Sequence, residues 1–110
     1  MKFTHLLAAA AALVAFTLPV QAAVDVEAAN KALKDNGCTK CHSVDKTKKG
    51  PSFQKTAAKY KGKADAEAKL NTFLTTSPKV KVDDAEEEHK AVPAKDAGQI
   101  KNMIQFILSQ

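Results

Sequence analysis

With 110 residues, two cysteines and a formal charge of +5, the chain has room for one domain, and it shows no internal repeat. The positive balance does not read as nucleic-acid binding, because it comes entirely from lysine, contains no arginine and has few aromatic residues interleaved. Two cysteines only two residues apart would close too small a loop for a disulfide to stabilise much.

The first stretch has the organisation of an export signal. Met1-Lys2 gives a short basic start, Leu6 to Leu18 is an alanine- and leucine-rich apolar run, and Val20-Gln21-Ala22 is a small-residue cleavage pattern. The run is short for a membrane span. Residues 1–22 are therefore expected to be a secretory signal peptide cut after Ala22. That leaves a domain of 88 residues, 23–110, with formal charge +4 and without His5.

Asp25 is placed to cap a helix carrying Val26, Ala29, Ala32 and Leu33 at helical spacing. Asn36-Gly37 stops that helix and turns the chain into Cys38-Thr39-Lys40-Cys41-His42. C-x-x-C-H is the pattern of c-type haem attachment: each cysteine sulfur adds across a haem vinyl group, and the adjacent imidazole becomes an axial iron ligand. The spacing lets the two sulfurs reach neighbouring pyrrole edges and leaves His42 to meet the iron. A thioredoxin-like C-x-x-C or half of a zinc site are the competing readings. Zinc lacks its second ligand pair here, and a redox dithiol has no use for the following histidine.

Lys46 to Lys63 carries seven lysines and no acid. Gly50-Pro51 interrupts any helix, Ser52 can cap a short one through Ala57, Ala58 and Tyr60, and Gly62 ends it. A further helix is expected from Asp65 to Leu74, with Ala66, Leu70, Phe73 and Leu74 on one face and Ser77-Pro78 as its stop. Lys79-Val80-Lys81-Val82 alternates like a strand, but four residues beside a proline are read as loop around the cofactor. Asp83-Asp84 and Glu86-Glu87-Glu88 form an acidic patch, a helical turn or a loop, directly before His89. Past Pro93, Asp96 and Gln99 make a capping-box-like pair. They open a terminal helix whose apolar stripe is Ile100, Met103, Ile104, Ile107 and Leu108, expected to pack across the helix before Cys38.

Together, Gly37-Cys38-x-x-Cys41-His42, Gly50-Pro51, Ala57-Ala58-Lys59-Tyr60 and Ile104-Gln105-Phe106-Ile107-Leu108 resemble a small bacterial class I cytochrome c over residues 25–109. The resemblance implies an all-α class I cytochrome c fold of short helices around one covalent haem c. It also implies that the carbonyl of Pro51 accepts the Nδ1 proton of His42, orienting the ring and raising its basicity, and that Phe106 is a core residue. One departure stands out. The family takes its second iron ligand from a methionine in a loop before the final helix, yet no methionine occurs from residue 50 through residue 102, and Met103 lies on an ordinary packing stripe. His89 occupies that interval and is the only histidine besides His42 in residues 23–110.

The expected cofactor-binding residues are thus Cys38, Cys41, His42, Pro51 and His89, with His42 and His89 on the iron. The expected function is periplasmic one-electron transfer with bis-histidine coordination and no enzymatic activity. The alternative is a haem-based binder or sensor of a small gaseous ligand with an open or displaceable distal site. Peroxide activation is the poorest option, since it needs both an open iron and acid–base groups. The expected partner is an acidic redox protein steered by the lysines, with no nucleic acid and no stable membrane insertion after signal cleavage, the chain itself being a monomer.

Overall fold

A computed structural model describes residues 23–110 and, apart from them, Leu13; the signal peptide assigned to residues 1–22 otherwise lies outside the described residues. The first helix, α1 (Val26–Asp35), starts where expected: the Asp25 side chain accepts from the Ala28 backbone N–H at 2.9 Å, satisfying one of the otherwise unpaired donors of the first turn. Glu27 in the first turn and Lys34 in the last complement the helix dipole. The helix ends at Asn36, whose side-chain amide donates to the carbonyl of Ala32 at 2.8 Å. Gly37 follows at φ +73°, a left-handed conformation that glycine adopts without a Cβ penalty. The chain then makes a single 3₁₀ turn, Cys38–Lys40.

Three further helices follow the haem-type motif. The helix α2 (Phe53–Tyr60) is capped by Ser52, which accepts from the Lys55 N–H at 3.1 Å, and is released at Gly62. The helix α3 (Ala66–Thr75) runs one residue later at each end than the sequence suggests, with Asp65 at the cap position but bonded through its carboxylate to Lys69 at 2.9 Å instead. The last helix, α4 (Ala97–Leu108), opens on Asp96, whose carboxylate accepts from the Gln99 N–H at 2.9 Å.

The segment between α3 and α4 differs from the expected loop. Lys79–Val82 (β1) and Ala85–Glu88 (β2) pair antiparallel, with Lys79 opposite Glu88 and Lys81 opposite Glu86. Glu86, Glu87 and Glu88 of the acidic patch therefore lie in a strand, and Asp83-Asp84 form the turn that leads into it. Two circumstances make it one. Opposite charges face each other across the ladder, and Asp83 and Asp84 take φ +48° and +67°, the positive values at both central positions that a tight two-residue hairpin requires. Aspartate tolerates this conformation better than most residues, although less well than the usual Asn-Gly.

The core is one cluster: Ala29, Ala32 and Leu33 of α1, Phe53 of α2, Leu70 and Leu74 of α3, Val92, and Ile100, Met103, Ile104, Phe106 and Ile107 of α4. Helices α1, α2 and α3 each pack on α4. Met103 is fully buried and Phe106 is 5% exposed, so both are core residues as expected. Phe73 is the exception among the residues assigned to the buried face of α3; it is 36% exposed. Among the described residues, no helix is long and apolar enough to cross a membrane.

The two ends of the helical domain are tied by a reciprocal pair. The Asp25 N–H donates to Asn102 Oδ1 at 2.9 Å, and Asn102 Nδ2 donates to the Asp25 carbonyl at 2.8 Å. Because Asp25 also caps α1, this pair fixes the start of α1 against α4. Asn102→Ala should lower the unfolding free energy of the protein by about 1 kcal/mol, since both bonds lie near solvent and water replaces part of what is lost. Chemical denaturation with an unchanged slope and a lower midpoint would show it.

Candidate functional site

The segment after His42 folds back beneath the motif that precedes it. Gly50 N–H donates to the Cys41 carbonyl at 2.8 Å, Phe53 N–H to the Ser43 carbonyl at 2.9 Å, and Lys48 Nζ to the Thr39 carbonyl at 2.7 Å. An isolated bridge also pairs His42 with Thr47. These bonds bring Gly50-Pro51 against the His42 ring.

That ring is held in three ways. Its Nδ1 lies 2.7 Å from the Pro51 carbonyl oxygen. A carbonyl can only accept, so Nδ1 carries the proton and Nε2, across the ring, keeps its lone pair. Phe53 stacks on the ring at 5.6 Å between centroids and 19° between planes. Gly50 makes room at its Cε1 side: a Cβ there would lie 2.4 Å from Cε1, 2.8 Å from Nδ1 and 2.9 Å from Nε2, inside van der Waals contact. Pro51 thus stands where the resemblance put it, while the parts played by Gly50 and Phe53 were not legible beforehand. Gly50 read only as a helix breaker, and Phe53 as nothing in particular.

Cys38 and Cys41 are both half-buried and unpaired with each other. Burial pushes the Cys38 thiol up, with a backbone hydrogen bond and the nearby Lys90 offsetting part of the shift. A redox dithiol needs the opposite, a thiol shifted down to supply thiolate, so this environment argues against a thioredoxin-like role.

His89 lies at the foot of the hairpin. Its backbone N–H donates to the Pro78 carbonyl at 2.8 Å, continuing the ladder by one step, and three residues on the buried Val92 donates to the Leu74 carbonyl at 2.7 Å. This clamp brings the His89 ring to 6.0 Å from the His42 ring between centroids, with 54° between planes. Two imidazoles bound through one nitrogen each to a shared metal, at bonds of about 2 Å, have centroids about 6 Å apart. Burial, and then the neighbouring His42, hold the His89 imidazole below the usual histidine range, so it is neutral at pH 7 and able to donate a lone pair. Its Nδ1 is buried and finds no hydrogen-bond partner among the described residues. The donor set and the spacing both fit a haem iron between the two rings.

Residues 26–110 match the family described as cytochrome c. The chain belongs to the cytochrome c family. Among solved structures, this cytochrome is similar to the class 1 cytochrome MtoD of Sideroxydans lithotrophicus ES-1, at 53% identity and a TM-score of 0.76 over 79% of this chain and 97% of that one. Nitrosomonas europaea cytochrome c552 shares the fold at 24% identity and a TM-score of 0.60, over 73% and 96% of the two chains. The fold is that of a small, mostly helical class I cytochrome c. Curated relatives include cytochrome c-551 of Pseudomonas aeruginosa, 46% identical over 37 residues, which are 34% of this chain and 36% of that protein. Cytochrome c-551 of Allochromatium vinosum is 41% identical over 59 residues, 54% of this chain and 58% of its own length. These curated relatives are thus matched over about a third to three fifths of their length.

Gly50→Ala tests the close fit at His42. Its added methyl must displace the ring, so the variant should incorporate less haem and show an altered visible spectrum. Gly62→Ala is the control: φ is +74° there, but a Cβ meets nothing within 4 Å. It should cost about 1 kcal/mol of backbone strain and leave the spectrum unchanged.

Proposed function

We propose that this cytochrome is an exported, periplasmic one-electron carrier, not an enzyme, with one haem c attached through Cys38 and Cys41 and axial ligands from His42 and His89. The observation that carries the reading is the approach of His89 to His42 at 6.0 Å, from a segment where the family expects methionine. The bound haem would supply an iron that alternates between two oxidation states. The chain's own residues do the rest. Pro51 keeps the His42 proton on Nδ1 and so leaves Nε2 free to donate; Phe53 and Gly50 stop the ring from turning; the hairpin foot holds His89 opposite. With His42 and His89 both supplied from within the protein to hold the haem, little rearrangement of these residues would accompany gain or loss of an electron. Imidazole in place of a thioether should lower the reduction potential relative to histidine–methionine members.

Residues 1–22 would deliver the chain across the membrane, to the compartment where c-type haem is attached. His89→Ala should open the distal position, change the spin state of the ferric protein and speed the uptake of added imidazole. Unchanged visible and magnetic spectra in both oxidation states would make His89 a surface residue and leave a different distal ligand to be found. A high-spin wild-type protein that binds gases rapidly would instead favour the ligand-binding alternative.

Partner recognition would rest on Lys46, Lys48, Lys49, Lys55, Lys59, Lys61 and Lys63, all exposed. Lys48 is engaged with the Thr39 carbonyl, and Lys59 and Lys63 lie over the Tyr60 ring at 5.6 and 5.8 Å. Glu86 and Glu88, which could have opposed this field, face Lys81 and Lys79 across the hairpin. Association with an acidic redox partner should slow as salt is raised, the Debye length falling to about 8 Å near physiological ionic strength. Lys55→Glu with Lys61→Glu should reproduce much of that loss at low salt. A rate independent of both would remove the steering role.

A further inference from the structure

The two imidazoles are held very differently. His42 has a hydrogen-bond acceptor on Nδ1, a stacked phenyl ring and a glycine cradle. His89 is fixed at its backbone, but its Nδ1 is buried without a partner among the described residues. An imidazole bound through one nitrogen can turn about that bond unless its other nitrogen or its faces are restrained.

One side chain offers that restraint. Phe73, in the last full turn of α3, meets the His89 ring in an edge-to-face arrangement, centroids 4.9 Å apart and planes at 64°. Its neighbours in the helical repeat, Leu70 and Leu74, are buried in the core, whereas Phe73 turns away from it and remains 36% exposed. Hydrophobic packing against the core therefore does not account for its position; the contact with His89 does. An edge-to-face pair is directional, because the positive edge of one ring seeks the negative face of the other. It therefore resists rotation of the imidazole as well as its withdrawal. The four rings form a row, Phe53, His42, His89 and Phe73, with successive centroid separations of 5.6, 6.0 and 4.9 Å.

We propose that Phe73 is the positioning residue for the His89 imidazole, setting its rotation about the iron–nitrogen bond and opposing its displacement by outside ligands. This rests on the reading of His89 as the distal ligand. Phe73 supplies by aromatic contact what Pro51 supplies to His42 by a hydrogen bond.

The experiment uses the mature haem protein as wild type, Phe73→Leu, Phe73→Tyr and His89→Ala. Low-temperature electron paramagnetic resonance of the ferric forms reads the mutual orientation of the axial rings through the spread of g values. Titration with imidazole reads displacement of His89. In Phe73→Leu the low-spin bis-imidazole signal should persist with a shifted g spread, and imidazole should bind roughly two- to tenfold more tightly, the ratio corresponding to one aromatic pair. Phe73→Tyr, which retains the ring, should return both readouts to wild-type values. Loss of general stability alone would lower the denaturation midpoint without moving the g spread. If Phe73→Leu keeps the wild-type g spread and imidazole affinity, Phe73 does not position the ligand, even though His89 binds iron. If wild type and His89→Ala give the same signal, His89 is not the ligand, and the positioning role falls with it.

Discussion

The apolar stripe of α4 is the constraint on which the other parts of the molecule lean. Ile100, Met103 and Ile104 are its most deeply buried members, and α1, α2 and α3 each find their main partner surface there. A chain this small cannot build separate interfaces for each helix, so a single helix must serve them all. The consequence for the site is direct. Helix α1 delivers Cys38, α2 begins at the phenyl ring that stacks on His42, and α3 ends beside the segment that carries His89. Whatever fixes those three helices on α4 also fixes the two imidazoles relative to each other.

The imidazoles are nonetheless forty-seven positions apart in the chain and controlled by unlike physics. His42 is governed locally: a nine-residue return brings Pro51 and Gly50 under its ring, and the bonds that hold the return all join residues between Thr39 and Gln54. His89 is governed by tertiary structure, between a ladder bond to Pro78 and the burial of Val92. Local closure is intrinsically the more rigid arrangement because few other groups must be in place first. A tertiary clamp opens when either the hairpin or the end of α3 loosens. One imidazole is thus held rigidly and the other by contacts that can yield.

Most of the helical half of this organisation was legible because α1, α2 and α4 each announce their capped start in the sequence. Asp25, Ser52 and Asp96 all cap where their side chains precede an apolar periodic run, and Gly37 and Gly62 both take the left-handed values that release a helix. The attachment motif was legible because it is contiguous. The hairpin was not, because Val80 and Val82 give only one short alternation and the opposing strand carries Glu86, Glu87 and Glu88, residues that on their own disfavour a strand. Its stabilisation lies in pairing with Lys79 and Lys81, a property of two segments together. Phe73 escaped for a related reason. Spacing alone puts it on the same stripe as Leu70 and Leu74, and only the position of His89 in three dimensions shows that it faces elsewhere.

The hairpin also explains how His89 is positioned between α3 and α4 without a loop long enough to wander. Ten residues leave at Lys79 and return at Glu88 in a fixed register, with Lys79 directly opposite Glu88 and the Pro78–His89 bond closing the ladder beneath them. A strand advances about 3.3 Å per residue and alternates its side chains between faces. A slip of one residue would therefore move the His89 backbone by that distance and turn its ring to the opposite side. The facing Lys–Glu pairs and the two-residue turn at Asp83-Asp84 oppose such a slip, since in either direction it would lose one of the two Lys–Glu pairs and change the turn. The hairpin need not touch the haem or a partner to matter. Its register alone decides whether the imidazole at its foot points back toward His42.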